Sequence, residues 1–275
     1  MRPVALNFDQ NQILVMVLAG GEGRRLFPLT MDRAKPAVPF GGRYRIIDIV
    51  LSNFVNSGLS RIKVLTQYKS ASLEEHLARD WRLAPILDQY IEAIPAQQRT
   101  GKIWYRGSAD AVWQCQHVID DEKPELLCIF GGDHVYKMDV RQMIAFHQDS
   151  KADATIAAIP IPRHQARDFG ILEVDESGRV IAFHEKVENP PTLPGNDQVC
   201  LASMGNYIFR PSILLDALSE DENIEESRHD FGHDILPWLV QKGGAVYAYD
   251  FATNLVPGED DSNRGYWRDI GTVDA

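Results

Sequence analysis

The 275-residue sequence predicts an α/β fold built on a mostly parallel central sheet flanked by helices. Three observations carry this expectation. The apolar runs Ile13 to Ala19 and Leu126 to Phe130 are strand-length, do not alternate with polar residues, and lead into Gly-Gly, as strands buried on both faces do. Ile46, Ile47, Ile49, Val50, Phe54 and Val55 recur at helical spacing up to Gly58, a C-cap. Strand and helix then alternate through the first eighty residues, the pattern of a parallel sheet covered by helices.

Taken in order, residues 1–11 form a polar lead-in and 12–275 a single domain. Arg61 to Thr66 reads as the second strand and Ser70 to Trp81 as the next helix. Ser108 is placed as the N-cap of a helix reaching about Asp121. Helix 140–148 and strand 154–159 follow. Gly170 to Lys186 changes character: two apolar stretches flank Asp175-Glu176-Ser177-Gly178, which reads as a hairpin insertion. Strand 203–209, helix 213–218, helix 233–240, strand 245–251 and a polar loop at 252–265 complete the chain.

The composition narrows the function. With 44% hydrophobic residues and 24% charged, the chain can bury an ordinary globular core. Its net charge of -11 repels nucleic acid and anionic membrane, so neither is expected as a partner. The one dense basic cluster, Arg24 to Lys35 and on to Arg45, therefore points to a local site for a small polyanion. Three cysteines without a CxxC spacing fit buried thiols in a reducing cytoplasm. No apolar signal core precedes residue 13, and no apolar run is long enough to span a bilayer.

Gly20-Gly21-Glu22-Gly23-Arg24-Arg25-Leu26 follows the first strand, at the strand end where α/β proteins bind ligands. Glycines let a ligand approach the main chain, although a glycine pair after a strand is equally a plain turn. A Walker A loop would end Gly-Lys-Ser/Thr, and a dinucleotide loop would open a helix with a third glycine. Leu26 and Pro28 fit neither. What remains is a loop of backbone N–H groups carrying Arg25, with Lys35 close behind, and that combination suits a triphosphate.

These residues resemble a known signature. Leu18-Ala19-Gly20-Gly21-x-Gly23-x-Arg25-Leu26-x-Pro28-Leu29-Thr30, with Lys35-Pro36, is similar to that of the sugar-1-phosphate nucleotidyltransferases, most closely their bacterial glucose-1-phosphate adenylyltransferase branch. Arg33 to Asp48, Trp104 to Val112, Gly131 to Met138 and Tyr266 to Thr272 continue the resemblance in family order. It implies the Rossmann-like, GT-A-like nucleotidyltransferase form of the fold. It also implies the reaction of ATP with α-glucose 1-phosphate to give ADP-glucose and pyrophosphate, assisted by Mg²⁺.

The resemblance further implies roles. Asp133 and Asp269 would hold Mg²⁺, although a lone Asp133 would read as a turn residue and Asp269 as a partner of Arg268. Arg25 would grip the departing pyrophosphate and Lys35 the phosphates near the point of attack. Gly20, Gly21, Gly23, Gln67 and Tyr105 would serve the nucleotide, with Tyr105 packed against the base. Glu185 and Lys186 would take the sugar hydroxyls and the sugar phosphate, with Val187 where the family usually has proline. Gly170, in Asp168-Phe169-Gly170, would let the sugar approach the backbone, and Ser203 would contact a sugar hydroxyl. Asp110 is the acidic first turn of its helix, and His134 stands behind the metal rather than on it.

Relatives usually carry a C-terminal β-helix of hexapeptide repeats that helps build a tetramer. None occurs in these residues, so the catalytic domain alone is expected, a homo-oligomer when the full chain is present. Asp32 stands where some relatives place an activator-linked lysine, so no activator response is carried over. A UTP- or dTTP-using enzyme and a non-catalytic regulatory paralogue remain as alternatives.

Overall fold

The computed structural model describes residues 9–99, 102–260, 262 and 264–273, so residues 1–8 of the lead-in lie outside the described residues. The strands are β1 (Ile13–Leu18), β2 (Pro39–Phe40), β3 (Tyr44–Arg45), β4 (Arg61–Thr66), β5 (Tyr90–Pro95), β6 (Leu126–Gly131), β7 (His134–Tyr136), β8 (Ala154–Pro162), β9 (Gly170–Val174), β10 (Val180–Glu185), β11 (Val199–Phe209), β12 (Val246–Asp250) and β13 (Trp267–Asp269). The helices are α1 (Ile46–Asn56), α2 (Ala71–Asp80), α3 (Ser108–Gln114), α4 (Gln116–Glu122), α5 (Val140–Asp149), α6 (Pro211–Glu222) and α7 (Leu236–Gln241).

β1 explains the architecture. It has parallel neighbours on both edges, β4 and β6, and β5 extends the parallel set beyond β4. Its side chains divide between two cores. Ile13, Val15 and Val17 face a cluster with Phe54 of α1, Leu77 of α2 and Met143 of α5. Leu14 and Met16 face a second cluster with Val112 of α3, Leu214 of α6 and Leu236 of α7. A strand covered by helices on both faces cannot alternate, which is why its sequence reads as an unbroken apolar run.

Beyond β6 the nine-stranded sheet continues with β11, β9 and β10, while β8 pairs β11 and β12. β11 changes partner along its length. Leu201 and Ala202 pair with β9, whereas Asn206 to Phe209 pair with β6. Its register with β8 shifts between Ser203 and Tyr207, and Gly205 adopts φ +70° at that bulge. Where the partner changes, the sheet parts.

Several local expectations shift. β5 was not expected: Tyr-Ile-Glu-Ala-Ile-Pro carries a glutamate and ends in proline, features that suit its edge position beside β4. The helix from Ser108 is two helices, broken at Cys115. Gly107, not Ser108, is its N-cap, because the Ser108 hydroxyl is engaged elsewhere, donating to Asp230 Oδ2 (2.7 Å) and accepting from the Phe231 amide (3.0 Å). β11 begins at Val199, α6 spans Pro211–Glu222, and the helix expected from 233 starts as a π-turn, Phe231–Ile235, before α7. The hairpin forms as β9 and β10. The short β7–β13 pairing was not foreseen either, three residues being too few for a periodic signal.

The side of the sheet carrying α5 buries His147, whose Nδ1 lies 2.8 Å from Thr155 Oγ1. Burial, reinforced by the positive charge of Arg210, pushes this imidazole down to about 4 from 6.5. The fold therefore holds it neutral, and the stability this brings is complete above pH 6.5 and lost as pH falls toward 4, about 3 kcal/mol at most. His147→Gln is expected to unfold at lower urea than the wild type at pH 8, with the gap closing by pH 4.5. A gap that does not change with pH would contradict this origin of acid sensitivity.

Candidate active site

The carboxyl ends of β1, β4 and β6 open on one side of the sheet, and the glycine loop leaves β1 there. A Cβ on Gly20 would lie 3.5 Å from Gln67 Cβ, while the space beside Gly21 is open. Gly23 has φ +64°, and a Cβ there would come within 2.8 Å of Lys35 Cβ. This position therefore needs glycine twice over, for its dihedral and for its contact. The Lys35 amide donates to Gly21 O (3.3 Å) and the Thr30 hydroxyl to Gly23 O (2.9 Å), which braces the loop against the following segment.

Lys35 is buried at the head of a single 3-10 turn, Lys35–Ala37. Its Nζ lies 2.7 Å from Asp133 Oδ2 and 2.8 Å from Asp269 Oδ1. Asp133 sits in the turn between β6 and β7. Asp269 ends β13, directly opposite His134 of β7, so the small antiparallel pair brings together carboxylates 136 positions apart (269 − 133). Burial alone would lower the Lys35 pKa, but Asp133 and Asp269 outweigh it and hold the ammonium above its usual range. Burial likewise opposes charge on Asp133, yet His134 and Lys35 keep that carboxyl below its usual range.

The donor set fits a hard cation. Oxygen atoms of Asp133 and Asp269 and a ring nitrogen of His134 lie within 4.8 Å of one another. Both carboxylate side chains keep 30% exposure, which leaves them open to a ligand from the solvent side. Two carboxylates against one ammonium leave the cluster short of positive charge, and two carboxylates with water or phosphate oxygens are the usual shell of Mg²⁺. His134 Nε2 stands 3.5 Å from Asp133 and 4.0 Å from Asp269, with its ring against Trp267 (5.2 Å between centroids).

Two cavities adjoin this cluster. One, of about 410 Å³, is lined by Gly20, Gly21, Gln67, Tyr105 and Asp133. The other, of about 250 Å³, is lined by Asp168, Gly170, Glu185, Lys186, Ser203 and Asp269. Ser108, His134, Gly205, Tyr207 and Phe231 line both. The sequence-expected residues thus divide into two neighbouring groups, with the Asp133–Lys35–Asp269 cluster joining them. Arg25 lies at the margin, its Nη2 3.2 Å from where a Cβ on Gly271 would sit, and it makes no ion pair among the described residues.

Individual expectations change in detail. Gly170 is buried, and a Cβ there would meet Phe183 Cζ at 2.5 Å and Glu185 Oε2 at 2.6 Å. Its missing side chain makes room for these neighbours, while Gly170 itself lines the smaller cavity. Gln67 spends its amide on the Tyr105 backbone, accepting from the Tyr105 N–H (2.7 Å) and donating to its carbonyl (3.4 Å). Tyr105 turns its hydroxyl toward Cys115 Sγ (3.4 Å), and burial raises its pKa. Ser203 Oγ accepts from the Gly205 amide (3.2 Å), and Lys186 Nζ pairs with Glu185 Oε1 (2.8 Å) while its side chain stays largely exposed. Asp110 is buried and bonded to Arg106 and Gln114, a structural role.

Sequence reasoning missed Tyr207, Asp230 and Phe231. Tyr207 reads as one more apolar strand residue, and Asp230-Phe231 lies in a loop without periodicity. The strand order and long-range contacts, among them the bond from Ser108 to Asp230, bring that loop to the cavities.

Removing the central ammonium leaves two facing carboxylates. Lys35→Gln is expected to destabilise the protein by about 1–3 kcal/mol, below the range for a fully buried pair because the aspartates remain partly wet. Millimolar Mg²⁺ should restore much of that loss in thermal unfolding of the variant. An unchanged melting temperature with or without the ion would contradict this account of the cluster.

Comparison with known proteins gives the chain's family. The family model described as nucleotidyl transferase matches residues 14–275. A glucose-1-phosphate adenylyltransferase of Anaeromyxobacter dehalogenans is 56% identical over 265 residues, covering 96% of this chain and 64% of the relative. Those of Corynebacterium jeikeium and Rhodococcus jostii are 52% and 53% identical, each over 97% of this chain and 66% of the relative. The chain thus spans just under two thirds of the length of these relatives. Among the described residues no helix is long and apolar enough to cross a membrane. With the family model matched over nearly the whole chain, and a Gly-rich loop, a bridging lysine and paired aspartates at the mouth of a parallel sheet, the chain belongs to the nucleotidyl transferase family.

Proposed function

We propose that the chain transfers the adenylyl group of ATP to α-glucose 1-phosphate, releasing pyrophosphate. The observation that carries this reading is the division of the site. Asp133 lines one cavity, Asp269 lines the other, and one ammonium joins them at 2.7 and 2.8 Å. A two-substrate phosphoryl-centre reaction needs such a meeting point. That its relatives are glucose-1-phosphate adenylyltransferases supports the choice of substrates.

In this reading ATP occupies the cavity at the glycine loop, with open Gly21 letting phosphate oxygens approach the backbone. Glucose 1-phosphate occupies the cavity of Glu185 and Lys186, where the exposed Lys186 ammonium meets its phosphate and Glu185 accepts from its hydroxyls. A phosphate oxygen of the sugar attacks the α-phosphorus, a new P–O bond forms, and the bond to the β-phosphate oxygen breaks in line. Asp133 and Asp269 would hold Mg²⁺, which would supply charge neutralisation for the phosphates. Lys35 then balances charge at the α-phosphate, and Arg25 receives the pyrophosphate at the margin. Alignment of the two bound substrates contributes about 7–11 kcal/mol. The resemblance also supports Mg²⁺ as the working ion, a cytoplasmic setting, and a homo-oligomer for a full-length chain.

The test is pyrophosphate release from glucose 1-phosphate and Mg²⁺ with ATP, UTP and dTTP in turn. ATP should dominate. UTP or dTTP dominance would move the reading to another base, and no release with any of them would favour a non-catalytic relative. Asp133→Asn should lower kcat by about 10²-fold or more with the fold intact, and near-wild-type turnover would remove Asp133 from the chemistry. Lys186→Ala should raise KM for glucose 1-phosphate and leave that for ATP unchanged.

A further inference from the structure

The wall shared by the two cavities is held from behind. Asp221, near the C-terminal end of α6, is buried and accepts two bonds, one per oxygen. Ser227 Oγ donates to Oδ1 (2.6 Å) and His229 Nδ1 lies 2.7 Å from Oδ2. The His229 amide in turn donates to Ser227 Oγ (2.9 Å), closing a ring of three side chains. His229 is buried and held at φ +52°, a left-handed conformation that non-glycine residues rarely adopt.

That bend aims the backbone. His229 O accepts from the amides of Ala109 (2.9 Å) and Asp110 (3.3 Å), so it caps α3, whose own N-cap is a glycine without a side chain. A Cβ on Gly107 would meet His229 O at 2.3 Å and Arg228 O at 2.4 Å, so the two segments are in main-chain contact. The next residue, Asp230, takes the Ser108 hydroxyl on Oδ2 and the amides of Gly232 and His233 on Oδ1. Phe231 follows, stacked on Phe209 and set against Tyr207, and lines both cavities with Ser108.

We infer that Asp221 is a positioning residue for both substrate cavities. It acts through Ser227 and His229: their bonds hold the left-handed bend at His229, and the bend places Ser108, Asp230 and Phe231. The inference rests on the proposed function for its kinetic arm and on the fold alone for its exchange arm.

The experiment compares wild type with Asp221→Ala, His229→Ala and His229→Asn. Asparagine tolerates the left-handed conformation and can set its amide nitrogen where the histidine Nδ1 was. In steady-state kinetics, Asp221→Ala and His229→Ala should raise KM for both substrates about tenfold, within the ~100-fold that a 1 Å misplacement can cost. His229→Asn should return KM to within about twofold of wild type. A role confined to stability would instead lower kcat with the folded fraction and leave both KM values alone, and that result overturns the inference. Hydrogen exchange supplies the second readout. Asp221→Ala should lose protection at the amides of Ala109, Asp110 and Phe231 while β1 keeps its own. Unchanged protection at those amides overturns the inference even if the wild type shows no turnover, an outcome that would sink only the proposed function.

Discussion

The ammonium of Lys35 between Asp133 and Asp269 is the contact on which the site depends. It joins three distant stretches of chain, and each has its own reason to be there. The lysine is carried by the turn that braces the glycine loop. Asp133 is delivered by the end of the buried strand β6, and Asp269 by a three-residue strand paired with β7. Gly23 has no room for a side chain because Lys35 passes so close. The glycine loop and the acidic pair are therefore one mechanical unit.

That unit also concentrates positive charge in a protein that is acidic as a whole. At -11 the chain as a whole repels polyphosphates. The site compensates locally: Lys35 is kept charged despite burial, Arg25 makes no ion pair among the described residues, and Lys186 keeps its head in solvent. The aspartates consume one positive charge and leave a deficit that suits a divalent cation. Burial and charge pairing act in opposite directions on Lys35 and on Asp133, and pairing prevails at both.

The two cavities owe their adjacency to β11. A strand with one partner along an edge would leave a continuous sheet and no cleft. β11 leaves β9 after Ala202 and joins β6 from Asn206, and the bulge with Gly205 occupies the interval. Ser203 and Tyr207 flank that interval and face the space it creates. The loop bearing Asp230 and Phe231 closes the back, held by Ser108 in front and Asp221 behind.

Much of this was legible in the amino-acid order, for local reasons. Ile13 to Leu18 is apolar throughout because both its faces are buried, so strand and burial are written in the same letters. Gly20 to Gly23, Lys35, Asp133 and Asp269 stand out because glycine, charge and strand ends combine within a few residues. What the order could not express is anything set by partners far along the chain. Ser108 looked like a helix cap, but a better partner, Asp230, arrives from 122 positions away. That Phe183 and Glu185 fill the side-chain space of Gly170 across the hairpin could not be read from the order. That the Tyr105 backbone takes up the Gln67 amide could not be read from it either. The sequence by itself determined the fold class, the glycine loop and the charges at the strand ends, because propensity, burial pattern and charge are carried by neighbouring residues. Only the tertiary structure decided which of those residues meet, because hydrogen bonds and van der Waals contacts are made with whatever the sheet order brings alongside.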